Sequence, residues 1–77
     1  MRAFKVSVKM DSRSDVSSLR HESFYLDQKR AKLAQEDEML KYAAVSDWMW
    51  IDEFNRYYID RNDNTCYYAS ITKIELL

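Results

Sequence analysis

Apolar and polar residues alternate strictly at the start of the chain. Phe4, Val6, Val8 and Met10 fall on one side of an extended backbone and Lys5, Ser7 and Lys9 on the other. A period of two predicts a half-buried strand over 3–10 with a wet face, and the lysines on that face discourage edge-to-edge association. Residues 11–18 are almost wholly polar, and their serines and aspartates compete for backbone hydrogen bonds, so a loop or helix cap is expected there. Residues 19–26 fit two readings: Ser23 or Asp27 caps a helix, or Phe24, Tyr25 and Leu26 finish a short strand. From about 27 to 45 the chain is rich in helix formers, with Asp27 placed to cap them. Leu26, Leu33 and Leu40 recur every seven residues, and Ala34, Met39 and Ala44 widen the stripe. This predicts an amphipathic helix that packs its leucines on a sheet, although the same spacing also suits a dimer seam.

The stretch 46–55 carries Trp48, Met49, Trp50, Ile51 and Phe54 among acids. Read as a strand, it places Asp52 on one side with Trp48, Trp50 and Phe54, which puts a charge into the core. A second short helix capped by Ser46 is therefore expected. In residues 56–77, two aromatic segments flank Arg61-Asn62-Asp63-Asn64. Asn and Asp are the non-glycine residues best able to enter the left-handed region that tight hairpin turns need. The predicted register pairs Tyr57 with Tyr68 and Ile59 with Cys66 on a buried face. It pairs Tyr58 with Tyr67 and Asp60 with Thr65 on an outer one. Ile71, Ile74 and Leu76 then change phase, which calls for a bulge near 70–72, and the end of the chain runs beside the first strand.

The predicted fold is α+β, a single domain over 1–77. Its small single-layer antiparallel sheet consists of the N-terminal strand plus the C-terminal hairpin, packed against one long and one short helix. Composition narrows the chemistry. The chain has 77 residues and no glycine or proline, where average usage gives roughly five and four. Phosphate cradles, dinucleotide fingerprints and nucleophile elbows all need glycine, so these are excluded. One cysteine, Cys66, forbids an internal disulfide, and one histidine, His21, makes a structural zinc site implausible. A core this small is marginal, and a homodimer is the device that remains. No signal peptide or apolar run of membrane-spanning length is seen, and a cytoplasmic protein without membrane contact is expected. Net charge is only −1, yet residues 1–32 hold eight basic and four acidic groups while 33–77 hold four and nine.

No motif survives inspection. Asp60, Asn62 and Asn64 have calcium-loop spacing, but Thr65 stands where glycine belongs and Ile71 where the bidentate glutamate belongs. The acid pairs point apart on a helix, and Cys66 in mid-strand behaves as a small hydrophobe. No catalytic, cofactor-binding or metal-binding residues are assigned, and a non-enzymatic binding protein is expected. Its partner-binding residues are Trp48, Met49 and Trp50, bordered by Asp47, Asp52 and Glu53, with Tyr58 and Tyr67 beside them. Interface centres are enriched in these apolar types, and the acids favour a basic partner such as a nucleic-acid-handling protein. Such a chain suits a phage-type accessory protein that inhibits a host enzyme or defence system in the host cytoplasm. The alternative is a small RNA-binding module that stacks single-stranded bases on Tyr58 and Tyr67 beside Lys29, Arg30, Lys32, Arg56 and Arg61.

Overall fold

The computed structural model describes residues 1–12 and 15–75, with backbone alone at 15–17. Strand β1 (Arg2–Ser12) is followed by β2 (Asp15–Tyr25), helix α1 (Gln28–Met39), a single 3-10 turn (Val45–Asp47), β3 (Met49–Trp50), β4 (Asn55–Asp60) and β5 (Thr65–Glu75). All pairings are antiparallel, and the five strands lie in the order β2-β1-β5-β4-β3. The fold is α+β with a larger sheet than the three strands expected. The polar stretch 11–18, expected as a loop or cap, contributes the end of β1 and the start of β2; Arg13 and Ser14 lie outside the described residues. Residues 19–25 are strand, with Arg20 as an extra residue opposite the Val8–Lys9 step.

The N-terminal alternation is realised as expected. Phe4, Val6 and Val8 are buried beneath α1, and Lys5 and Lys9 face away from it. Asp27 caps the helix by accepting from the Lys29 N–H at 2.9 Å. The helix is shorter than expected, ending at Met39, and it presents a different face. Ala31, Gln35 and Met39, four residues apart, are its buried positions, whereas Leu33 and Leu40 are each 57 % exposed. Fully buried Ala31 allows the helix to lie close on Phe4, Val6 and Ile71, and positions two to the C-terminal side of Ala31 then point away from the sheet. Gln35 meets the sheet with its amide, which donates to Phe54 O at 2.9 Å and Ala69 O at 3.0 Å.

The β4–β5 hairpin has the predicted register, residue for residue, from Tyr57↔Tyr68 to Asp60↔Thr65. Its turn is made as predicted without glycine: Asn64 takes a φ of 54°, and Asp60 accepts from the Asn62 N–H at 3.0 Å. The two faces are interchanged. Tyr58 and Tyr67 lie on the helix side, where Tyr67 stacks on Tyr42 at 4.4 Å and Trp48 meets Tyr58 at 5.6 Å. Ile59 and Cys66 lie on the opposite, uncovered face, with Ile59 50 % exposed. Two tyrosine rings bury more surface than Ile with Cys. The expected bulge near 70–72 follows from the wrong face and is absent: Tyr67, Ala69 and Ile71 continue one alternation, and β1 and β5 pair without a shift from Ser12↔Thr65 to Arg2↔Glu75. The end of β5 does run beside β1, with Ile74 opposite Ala3.

Candidate interaction surface at the edge of the sheet

The second short helix is replaced by an edge strand. The 3-10 turn at Val45–Asp47 closes with Trp48 N–H donating to Val45 O at 3.1 Å, and this drops the Trp48 ring into the core beside Val8, Met39 and Ala69. Trp48 is 4 % exposed, so it is a core residue, and its indole N–H has no partner among the described residues. Met49 and Trp50 then pair with Tyr57 and Arg56. The objection to a strand, a buried Asp52, is met by ending the strand at Trp50. Asp52 sits in the following turn and accepts from the Phe54 N–H at 2.8 Å, the Asn55 N–H at 3.0 Å and the Asn55 amide at 2.8 and 2.9 Å.

Those bonds, the Phe54 N–H foremost and then the Asn55 amide, hold the Asp52 carboxyl below its ordinary value of 3.8. A depressed folded-state value means that the contribution is complete above the ordinary value and is lost as pH falls through the depressed one. We expect Asp52→Ala to lower the thermal midpoint at neutral pH, with the difference from wild type narrowing below about pH 4. Melting curves across the acid range check this, and a difference independent of pH would refute it.

Trp50 is 60 % exposed, and one face of its indole is covered. The Arg56 guanidinium lies 3.6 Å from that ring. Arg56 itself is 8 % exposed, with its Nη1 3.8 Å from Met39 Sδ and 3.9 Å from Glu36 Oε2. Burial pushes its pKa down and Glu36 opposes that shift; an arginine remains charged through such changes. The cation is thus a buried support under an exposed tryptophan. Met49 and Ile51, on either side of Trp50, are each 57 % exposed.

Among the border acids, Asp47 lines a groove of about 560 Å³ with Met49, Tyr57, Tyr58, Ile59 and Arg61. Glu53 pairs with Lys32 at 3.4 Å, and Lys32 also lies 5.4 Å from the Phe54 ring. Met49, Trp50 and Asp47 lie at this edge, but pairing with Tyr57 turns Met49 to the face away from the helix, whereas pairing with Arg56 keeps Trp50 on the helix side with Trp48, Tyr58 and Tyr67. The residues proposed for RNA are dispersed: Lys29 and Arg30 are exposed on α1, Arg61 is at the hairpin turn, and Arg56 is buried. Tyr57, Ile59 and Tyr68, which the expected register buries, lie on the uncovered face. Their signal was the same alternation, read in the opposite phase.

No family model, curated protein or solved structure matches the chain. Among the described residues, no three His, Cys, Asp or Glu side chains gather as metal ligands would. His21 is tied to Ser23 Oγ at 2.8 Å and to Glu38 at 3.3 Å, bridging β2 to the helix. No helix is long and apolar enough to cross a membrane.

Proposed function

We propose that this chain is a non-enzymatic binding protein that occupies a surface on a larger protein partner, with Trp50 as the anchor and Ile51 following it in the exposed turn. The observation that carries this reading is the Trp50–Arg56 stack. An exposed tryptophan held in place from behind loses little freedom on docking, and such residues dominate interface energetics. Asp47, Asp52 and Glu53 flank the anchor in sequence, so a partner with a basic surface is favoured, as a nucleic-acid-handling protein would present. Occupying such a surface inhibits or modulates the partner without chemistry, in keeping with an accessory inhibitor of a host system.

Affinity capture with the chain as bait tests this. A stoichiometric protein partner is expected, with binding about thirtyfold weaker or more for Trp50→Ala. Capture unaffected by Trp50→Ala would remove the anchor, and salt-sensitive recovery of RNA in place of a protein would favour the nucleic-acid reading.

A further inference from the structure

One whole face of the sheet is uncovered. Helix α1 and the Trp48 ring lie on the side of Val6, Val8, Ala69 and Ile71. Nothing among the described residues packs on the other side. Residues paired across antiparallel strands share a face, so the registers place Leu19, Lys9, Tyr68, Tyr57 and Met49 in one row across all five strands of that bare side. Phe24 lies beside Lys5, and Ile59 beside Cys66. Five of the eleven large apolar side chains exposed among the described residues are here: Leu19, Phe24, Met49, Ile59 and Tyr68. Between them is a polar depression of about 390 Å³ over Ser7, Ser70 and Thr72.

We propose that a second copy of this chain covers this face, making a sheet-on-sheet dimer. Area supports it. Strands of this length at a spacing of about 4.8 Å give a face of roughly 600–700 Å² in projection, close to the ~800 Å² per partner of a stable complex. The molecule measures 42 × 26 × 19 Å, and its thin dimension is that of one sheet and one helix layer, which leaves room for a third and fourth layer across a two-fold axis. Charge supports it as well. The face carries Lys5 and Lys9 against Asp11 and Glu22. An isologous contact can set these two cations against two anions, whereas a nucleic acid would meet no net positive charge. The exposed leucines at α1 are the weaker seam, since the 12-residue helix holds only Leu33, with Leu40 at its C-cap, and a coiled coil needs several heptads.

Sedimentation equilibrium at micromolar concentration is expected to give twice the 9.3 kDa chain mass. Tyr68→Glu and Thr72→Glu each set a carboxylate beside the chain's own cross-strand lysine, Lys9 and Lys5 respectively, so the monomer should stay folded by circular dichroism. Across a two-fold axis the same charges repeat, and the dimer should weaken about a hundredfold or more. Trp50→Ala should leave the dimer intact, which separates this interface from the partner contact. A second readout needs no variant: Cys66 is on this face, so its rate of maleimide labelling should fall as protein concentration rises. The proposal is overturned by a monomeric wild type, by labelling independent of concentration, or by a dimer lost on Leu33→Glu and kept on Tyr68→Glu. It is equally overturned by a monomer that binds oligouridylate and loses it on Tyr68→Glu, which would assign the face to nucleic acid.

Discussion

Trp48→Ala is expected to lower the unfolding free energy by about 3–5 kcal/mol, the range for removing a buried aromatic side chain. Trp50→Ala should cost no more than about 1 kcal/mol, the worth of an exposed cation–π contact. The two tryptophans are separated by one residue, yet Trp48 fills the space between Val8, Met39, Ala69 and Tyr58 while Trp50 stands at the rim on Arg56. For 77 residues the whole stability is roughly 4–12 kcal/mol, so losing Trp48 removes a large share of it and leaves a cavity that the neighbouring rings cannot close. Urea unfolding monitored by far-ultraviolet circular dichroism checks the pair. Equal losses for the two variants, or a loss below about 1 kcal/mol for Trp48→Ala, would contradict the division of core and edge.

That division was not legible in the sequence, and the reason is general to this chain. Alternation shows which residues share a face but not which face is covered. In β1 the question does not arise, because Phe4, Val6 and Val8 oppose two lysines and a serine. In the β4–β5 hairpin both faces are aromatic or apolar, so the register could be read from Asp60, Asn62 and Asn64 while the choice of buried face could not. Taking Ile59 and Cys66 as the buried pair has three consequences: it turns Tyr58 and Tyr67 outward, turns Cys66 inward, and requires a bulge that the strand does not have. The helix misled for a related reason. Its leucines form the more hydrophobic stripe, but a face made of Ala31, Gln35 and Met39 fits closer to the sheet, and that preference is one of shape. The two-residue edge strand is hidden because Asp52, which speaks against a longer strand, lies just beyond its end in the turn. Met49 and Trp50 are nonetheless exposed at the edge of the sheet, in the stretch that residue type alone singles out.

Gln35→Leu should destabilise the fold by about 2–4 kcal/mol although leucine is similar in size and more hydrophobic. Gln35 is 1 % exposed, and its amide nitrogen donates at once to Phe54 O and Ala69 O. Leucine would fill the space but withdraw both bonds from two backbone carbonyls beneath the helix, and an unmet buried polar group costs about 1–3 kcal/mol. The Phe54 carbonyl retains the Ile71 N–H at 3.0 Å, which keeps the loss below the sum of two bare acceptors. The bond to Phe54 also fastens the 51–54 turn, and with it the edge carrying Trp50, to the helix. Amide exchange at Ile51 and Ile71 should therefore accelerate in Gln35→Leu more than global destabilisation accounts for. Chemical denaturation with native-state exchange distinguishes the possibilities. If Gln35 acts only by filling volume, leucine will be neutral or stabilising and exchange at the turn will follow the rest of the sheet. If it is the polar tie between helix and edge, the turn will open first.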